Sequence, residues 1–215
     1  MNQALRHSLS PVSLLLSLSL LLGACSSTTD TPQQQPQPTP EEPVVEEQTL
    51  LGLIQSRDDL SIFAEAVDVA NAEDIAFPNG FESPSLEDLL NGEAPRTVFA
   101  PTNAAFNALF EEFDITEEEF LDPTFATDEL AVSLLYHIVD GAFTLDQLQE
   151  GQELPSTLGE LADVSLALTI TLQGGAEVNG TENGAAISTT NLTASNGVVH
   201  TIGAYLLPPG SEEDN

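Results

Sequence analysis

The chain has a single cysteine, Cys25, and this residue limits both how the chain can fold and where it can act. One cysteine cannot form a disulfide within the chain, so the folded part must be stable through its apolar core alone. About 160 residues remain after the N-terminal segments described below, which is the size of one ordinary domain. A domain of that size buries about 70 % of the surface that its unfolded chain exposes, and it needs no disulfide to be stable.

An export signal precedes this cysteine. Arg6 comes before an apolar run over 12–22, and the small residues Gly23 and Ala24 stand directly before Cys25. A basic start, a short apolar run and small residues before a cleavage point are typical of a secretory signal peptide. The run is about half of the ~20 residues that a membrane-spanning helix requires. The pattern therefore predicts a signal peptide that is removed from the mature protein.

The stretch Leu22-Gly23-Ala24-Cys25 resembles the lipobox of bacterial lipoproteins. The resemblance implies that residues 1–24 are cut off and that the Cys25 sulfur then carries a diacylglycerol, often with an added acyl chain such as palmitate. Two or more chains hold a protein stably at a membrane. Serine rather than aspartate follows the cysteine, which implies the outer membrane or cell surface rather than the inner membrane. The alternative is an ordinary signal peptide with an incidental cysteine.

A polar tether is predicted over residues 25–48. The segment is rich in Thr, Gln, Pro and Glu and poor in large apolar residues, so it cannot bury enough surface to offset the entropy of ordering. Proline favours an extended chain of about 3.1 Å per residue, which gives a reach of up to roughly 70 Å. Its prolines are Pro32, Pro36, Pro38, Pro40 and Pro43.

The charge of the chain is strongly negative. It has 35 Asp and Glu against 3 Lys and Arg, and Arg6 lies in the signal, so the mature formal charge is 2 − 35 = −33. Nucleic acid and anionic lipid surfaces are bound by clustered cations, and both are therefore excluded as direct partners. Self-repulsion destabilises a compact acidic domain, and molar salt relieves it by shortening the Debye length to about 3 Å. We hypothesise a saline or halophilic habitat; the alternative is an acidic surface that only aids solubility.

Hydrophobic periodicity predicts helices mainly in the first part of residues 49–209 and strands mainly in the last part, which indicates an α+β domain. Alternating apolar residues over 164–172 predict a half-buried strand, and 198–207 predicts the last strand. Residues 210–215 are predicted to be a frayed acidic tail. Predicted hairpin turns lie at Gly174-Gly175, Asn179-Gly180 and Asn196-Gly197.

Local signals also mark where helices begin. A helical stripe is predicted from Leu130 through Leu134 to Ile138. Predicted helix starts are Thr49, Ser85 and Thr102, and predicted capping boxes pair Thr116 with Glu119 and Thr144 with Gln147.

Three stretches, read together, resemble the conserved boxes of fasciclin-like domains. The first is the run 97–106, Thr-Val-Phe-Ala-Pro-Thr-Asn-Ala-Ala-Phe, and the second is the Tyr-His box at 134–141. The third, at 195–202, begins Ser-Asn-Gly-Val-Val-His and is followed by Leu-Leu-Pro at 206–208. Their order and spacing agree with the family over 49–209.

The resemblance implies a single α+β domain in which antiparallel β-sheets are wedged together with several short helices. It also implies a role in adhesion between cells, to matrix or to a partner protein. In animal relatives the Tyr-His region is linked to integrin binding, which makes Tyr136 and His137 candidate partner-binding residues. The chain departs from the family in a longer 71–95 segment and in Gly-Ala-Tyr at 203–205. The family-box residues carried over are Thr97, Phe99, Pro101, Thr102, Asn103, Phe106, Tyr136, His137, Asn196, Gly197 and His200.

The residues that could carry catalysis or bind a metal give little support to either. His137 and His200 could form a metal pair or act as bases, or they could be structural; we predict structural roles, because neither has a nearby Cys or a helical His partner at ligand spacing. The sequence has no Gly-x-Ser-x-Gly elbow, phosphate-cradling glycine loop or EF-hand spacing. We therefore predict no enzyme, no cofactor and no metal site. The sequons at 179–181 and 191–193 are interpreted as turn residues.

Together these features predict an envelope lipoprotein that presents one fasciclin-like domain for adhesion. It would touch the membrane through the lipid on Cys25 and bind a protein or matrix partner, and many tethered copies would act together. The alternative is an envelope-located ligand-binding or assembly module without an adhesive role. A deep, closed apolar pocket would favour a small-molecule ligand, and a shallow surface would favour adhesion.

Overall fold

The structure, a computed structural model, describes residues 48–70, 85–122, 127–162 and 165–209. These residues all belong to the compact unit Val45–Asn215. The predicted signal peptide, nearly all of the tether, the acidic tail and most of the long 71–95 segment lie outside the described residues. No helix in the described part of the chain is long and apolar enough to cross a membrane.

Helices alternate with turns over the first half of the domain, as the hydrophobic periodicity predicted. The first two are joined by a short 3₁₀ turn, Asp58–Leu60. The α-helices are α1 Leu50–Gln55, α2 Ser61–Ala70, α3 Leu86–Asn91, α4 Asn103–Phe113, α5 Glu117–Phe120, α6 Thr127–Tyr136 and α7 Thr157–Leu161.

Strands dominate the second half, and within the described residues they form one seven-stranded sheet in the order β2-β1-β7-β6-β5-β4-β3. The mixed architecture confirms the α+β prediction. The strands are β1 Arg96–Pro101, β2 Ile138–Asp140, β3 Glu153–Pro155, β4 Ala167–Thr171, β5 Glu177–Asn179, β6 Gly184–Ala194 and β7 Gly197–Ile202.

The sheet differs from an all-antiparallel arrangement at one pair of neighbouring strands, β1 and β7, which run parallel from Arg96–Gly197 to Pro101–Ile202. Parallel neighbours need a long connection, and almost the whole second half of the domain supplies it. The two ends of the strand order also meet, because Val139 of β2 pairs with Ser156, the residue after β3. The sheet therefore curls toward a closed barrel, which protects its edges from pairing with other chains.

Local capping signals predicted the helix starts correctly. Thr49, Ser85 and Thr102 each accept a backbone N–H of the first turn through the side-chain oxygen. Thr116 and Glu119 form the predicted reciprocal capping box. Each of these contacts spans three residues, so the information needed to predict it is local.

Two boundaries were predicted incorrectly. Ile138 belongs to β2 rather than to the helical stripe, because α6 ends at Tyr136 and Ile138 pairs with Val98 of β1. The last strand ends at Ile202 rather than at Leu207. Beyond Ile202 the chain turns away to the end of α6, where the Leu206 N–H bonds the His137 ring.

The turn predictions were correct in part. Gly174 and Gly175 both adopt positive φ between β4 and β5. Thr144 and Gln147 make two hydrogen bonds, from the Thr144 N–H to Gln147 Oε1 and from the Gln147 N–H to the Thr144 carbonyl oxygen, but they start a turn rather than a helix. After β5 ends at Asn179, a loop at 180–183 replaces a two-residue hairpin turn.

The hairpin turn predicted at Asn196-Gly197 does join the antiparallel strands β6 and β7, but it lies one residue earlier than predicted. Residues 195–196 form the turn, and Gly197 is the first residue of β7, where it pairs with Ala194 of β6. Asn196 does not adopt a positive φ. Gly197 is required because a Cβ there would collide with the Arg96 carbonyl oxygen of β1. Close approach of two parallel strands, rather than turn conformation, explains this glycine.

One hydrophobic core fills the space between the helices and the sheet. It is continuous from the first helix to the segment after β7. An aromatic group near its C-terminal end includes Phe106, whose ring lies 5.2 Å from that of Tyr205 and 5.7 Å from that of Phe120. This group fixes α4 and α5 against the segment that follows β7, so the last family box is packed against the first.

Candidate functional site

The three family boxes lie on adjacent strands. Thr97 of β1 is level with Val198 of β7 on one side and with Val139 of β2 on the other. The Tyr-His box ends in β2, and the third box forms β7. Boxes that are far apart in sequence therefore form one continuous centre of the fold, which spacing alone did not predict.

The Thr97 side chain connects the first two boxes. Its Oγ1 donates to the Gly141 carbonyl oxygen at 2.6 Å and accepts from the Phe143 N–H at 2.9 Å. Phe99, two residues on, is fully buried and stacks on the His200 ring at 5.7 Å. Thr97 and Phe99, two residues apart on β1, thus contact both the segment after β2 and the third box.

Residues 101–106 form the corner from β1 into α4. Pro101 ends the strand, and Thr102 Oγ1 accepts from the Ala105 N–H at 3.3 Å. Asn103 Oδ1 accepts from the Ile62 N–H, and its Nδ2 donates to the Asp58 carbonyl oxygen and to Ser61 Oγ. Asn103 therefore caps the start of α2 from α4.

Asn196 joins the third box to two helices. Its Oδ1 accepts from the Leu50 N–H at 2.8 Å, and its Nδ2 donates to the carbonyl oxygens of Leu90 and Gly92 at 2.9 and 2.7 Å. The residue is 8 % exposed. This one side-chain amide therefore provides hydrogen-bond partners for backbone groups at the start of α1 and at the end of α3.

Tyr136, a candidate partner-binding residue, is fully buried. Its hydroxyl oxygen accepts from the Thr181 N–H at 2.8 Å and lies 3.2 Å from Thr181 Oγ1. Gly180 passes so close to the hydroxyl that a Cβ there would crowd it. A partner could not touch this side chain without a change of conformation.

His137, the second candidate, is also fully buried. Its Nε2 accepts from the Leu206 N–H at 3.0 Å, so the proton is on Nδ1, which donates to the Ser133 carbonyl oxygen at 2.9 Å. Burial lowers the pKa of His137 to about 4, and the hydrogen bond to Ser133 opposes this shift. The imidazole is therefore neutral at physiological pH and has both nitrogens occupied.

His200 is satisfied in the same way with the other tautomer. Its Nδ1 accepts from the Asn191 N–H at 3.4 Å, and its Nε2–H donates to the Phe143 carbonyl oxygen at 2.9 Å. Burial lowers the pKa of His200 below its ordinary value, against the hydrogen bond to Phe143. To bind a metal, either histidine would have to give up a hydrogen bond.

The structure describes no alternative metal centre. Across residues 48–70, 85–122, 127–162 and 165–209, no group of three or more His, Cys, Asp or Glu side chains is placed to hold a metal ion. Cys25, the predicted lipidation site, lies outside the described residues.

The sequence analysis missed a cluster of charges beside β2. Arg96 of β1 pairs with Asp140 of β2, and its buried Nε has no hydrogen-bond partner among the described residues. A hydrogen bond to Asp140 raises the pKa of Glu160, as do burial and the Asp140 charge, while the Arg96 charge opposes the rise. The only available signal was that Arg96 is one of two arginines after Cys25.

One depression in the surface of the described residues is too small for a drug-sized ligand. This depression lies between α4 and the segment that follows β7, is bordered by Leu109, Asn183 and Tyr205, and has a volume of about 50 Å³. Pockets for drug-sized ligands are typically about 300–1,000 Å³. Phe113 is the one large apolar side chain that the described residues expose, at 41 %.

Comparison with known proteins gives one family. The model of the fasciclin domain matches residues 76–208, which is more than half of the chain. Protein sll1483 of Synechocystis sp. is 41 % identical over 124 residues, which cover 58 % of this chain and 61 % of that protein. The transforming growth factor-beta-induced protein ig-h3 of Sus scrofa is 33 % identical over 131 residues, covering 61 % of this chain and 17 % of that protein. The chain thus spans less than two thirds of either relative.

A solved structure also resembles part of the chain. It is a FAS1 domain pair from the insect cell adhesion molecule Fasciclin I, with a TM-score of 0.45 and 20 % sequence identity. The match covers 56 % of this chain and 39 % of the solved one.

Proposed function

The chain belongs to the fasciclin domain family, which is associated with adhesion or protein binding, and on this premise we propose that it is a lipid-anchored envelope protein whose domain binds an extracellular protein or matrix. The observation that carries the proposal is the family match over 76–208. A relative of the domain occurs in a protein described as a cell adhesion molecule. The adhesive role itself is our inference for this chain.

The anchor is proposed from the sequence. The lipobox-like residues before Cys25 would give a mature protein that begins with a lipid-bearing cysteine. A tether over 25–48 would then hold the domain up to roughly 70 Å from the membrane. Many copies on one surface would bind a partner together, so that effective concentration rather than single-site affinity would carry adhesion.

The state of the polar side chains favours binding over chemistry. Tyr136, His137 and His200 are buried and hydrogen-bonded within the domain. A depression of about 50 Å³ is too small for an ordinary small-molecule ligand. Recognition by the outer, acidic surface is therefore the simplest way for this domain to act, and a partner of opposite charge would be attracted to it.

Attachment of cells tests the proposal. A strain that lacks the protein, the same strain complemented with the full chain and the parent strain are compared for cell aggregation and for attachment to surfaces at several salt concentrations. The proposal predicts that attachment falls in the deletion strain and returns on complementation. Unchanged attachment at every salt concentration would contradict the adhesive role.

The same strains separate adhesion from the alternative of an envelope module. An assembly or ligand-binding role predicts unchanged attachment together with altered envelope permeability, measured by the uptake of a dye that the intact envelope excludes. The proposed role predicts the reverse pattern. The two functions therefore give opposite results in one set of strains.

A further inference from the structure

Residues 141–148, here called the strap, run from the end of β2 across the centre of the sheet. Three strands hold the strap by side-chain hydrogen bonds. Thr97 Oγ1 of β1 accepts the Phe143 N–H at 2.9 Å, His200 Nε2 of β7 donates to the Phe143 carbonyl oxygen at 2.9 Å, and Asn191 Oδ1 of β6 accepts the Leu145 N–H at 2.7 Å. Regular sheet pairing does not hold this segment. Its two ends are fixed by the Gly141 N–H bond to the Pro95 carbonyl oxygen and by the buried Leu148, and between them these side chains hold it in place.

We propose that His200 is a pH-sensitive latch, and that protonation of its Nδ1 displaces Asn191 and so releases Leu145 of the strap from β6, while Phe143 and the rest of the domain stay in place. The inference stands on the strap geometry and does not depend on the proposed adhesive role.

Protonation disturbs one of the three contacts, that of Leu145, because Asn191 is bonded both to the His200 ring and to the strap, whereas the Nε2–H bond from His200 to Phe143 is kept. The Asn191 N–H points at His200 Nδ1, 3.4 Å away, while the Asn191 side chain holds Leu145. A proton on Nδ1 would set two N–H donors against each other. Asn191 also lies in a bulge of β6 with a φ of 58°, where the register with β7 shifts, so the backbone there can move without breaking a regular ladder.

No carboxylate on the strands around the ring would offset the added charge. Neither β6 nor β7 carries a titratable residue other than His200. From β1, Phe99 stacks on the ring, and the charged residue of that strand, Arg96, is paired with Asp140. The strap itself carries Asp146, which is exposed. The imidazolium would therefore be stabilised better in water than in the closed strap.

The direction of the effect follows from linkage. Burial lowers the pKa of His200 from its ordinary value of 6.5, so the released state takes up the proton more readily than the closed state. The closed strap is fully stable above pH 6.5 and loses stability as the pH falls from there to the lowered pKa. For each pH unit in that window the released state gains up to about tenfold in population.

Hydrogen exchange on the full chain tests the proposal. Protection factors, which correct for the intrinsic pH dependence of exchange, are measured by NMR between pH 7.5 and pH 5 for the Phe143 and Leu145 amides and for the β7 amides of Val199 and Thr201. The titration of the His200 ring is followed in the same samples. We expect the Leu145 amide to lose up to about tenfold in protection per pH unit between pH 6.5 and the midpoint of the His200 titration, while the Phe143 amide, which Thr97 holds, and the β7 amides keep theirs.

Two variants serve as controls. His200→Gln keeps a donor for Phe143 and an acceptor for Asn191 but does not titrate, so its strap protection should not change over this pH range. Thr97→Val loosens the strap through a contact that does not titrate, so its protection should be lower at every pH with the same pH dependence as the wild type.

Three results would overturn the proposal. In the wild type, the Leu145 amide could keep its protection down to the pH at which His200 titrates, or Leu145, Phe143 and β7 could lose protection together. The His200→Gln variant could also show the wild-type pH dependence. The first two results need no variant, so the test holds even if His200→Gln does not fold.

Discussion

His137 is a buried, neutral imidazole that ties the end of α6 to the segment after β7. It accepts the Leu206 N–H, donates to Ser133 and packs against the Tyr205 ring at 4.6 Å. Burial also raises the pKa of the Tyr205 hydroxyl. The histidine and the tyrosine are thus both held uncharged in one apolar contact, and charging either would cost stability.

Acid should therefore destabilise the domain through His137. Its pKa is about 4 in the folded state against an ordinary value of 6.5, so the unfolded chain binds the proton first as the pH falls. Stability from this group is complete above pH 6.5 and declines down to about pH 4, by about 3 kcal/mol. Urea unfolding at pH 7 and pH 4.5 measures the loss.

The matched control is His137→Gln, in which the amide oxygen can still accept the Leu206 N–H but nothing titrates. Titration of the carboxylates affects both proteins alike, so the difference between them isolates the histidine. An equal pH dependence in wild type and variant would show that His137 does not carry the effect.

At the scale of secondary-structure elements, Asn196 joins three that are far apart in the chain. Its amide satisfies the Leu50 N–H of α1 and the carbonyl oxygen of Leu90 at the end of α3 from the turn between β6 and β7. These groups belong to helix ends, which have no partner within their own helix. Loss of this one side chain would therefore loosen both helices.

Asn196→Ala should lower the free energy of unfolding by about 2–6 kcal/mol, because it leaves two buried polar groups, the Leu50 N–H and the Leu90 carbonyl oxygen, unsatisfied at about 1–3 kcal/mol each. Chemical denaturation measures this. Ser188→Ala, on the exposed face of β6, is the matched control and should change stability by less than about 0.5 kcal/mol. A loss below about 1 kcal/mol for Asn196→Ala would contradict the role of the amide.

The elements that local sequence determines were predictable. The Thr102 cap and the Thr116–Glu119 box connect residues three apart, and periodicity indicated that helices lie mainly in the first part of the domain. Strands β2 and β3 have three residues each, too few for a periodic signal, and were missed. The parallel pairing of β1 with β7 depends on residues about a hundred positions apart, so nothing local specified it.

The candidate site shows the same division. The family boxes could be recognised from their amino-acid sequences, but the contacts that their residues make could not be predicted from those sequences. Asn103 and Asn196 act through backbone groups of distant segments, such as Ile62 and Leu90, which no spacing rule connects to them. The pairing of Arg96 with Asp140 likewise appears only when β1 and β2 are side by side.

At the scale of the whole molecule, negative charge dominates. The two arginines after Cys25 are each paired with an aspartate, Arg57 with Asp59 and Arg96 with Asp140. The pairing with Arg57 also lowers the pKa of Asp59. The remaining carboxylates repel one another without cations among them, and only salt can screen that repulsion.

Salt should therefore stabilise the domain. Between dilute buffer and 1 M NaCl we expect the melting temperature to rise by at least about 4 °C, which is about 1–2 kcal/mol for a domain of this size. A variant with the exposed Glu111, Glu112 and Glu118 changed to Gln should gain less. A melting temperature that does not rise with salt in the wild type would contradict both the repulsion and the predicted saline habitat.

The central claim is that a lipid on Cys25 presents a binding domain at the cell surface. Attachment of cells that produce Cys25→Ser in place of the wild type tests it most directly, with Ser27→Ala as the matched control. The account predicts that Cys25→Ser releases a folded domain into the medium and attaches no better than the deletion strain, whereas Ser27→Ala attaches like the wild type. A Cys25→Ser protein that stays in the membrane fraction and supports normal attachment would contradict the account.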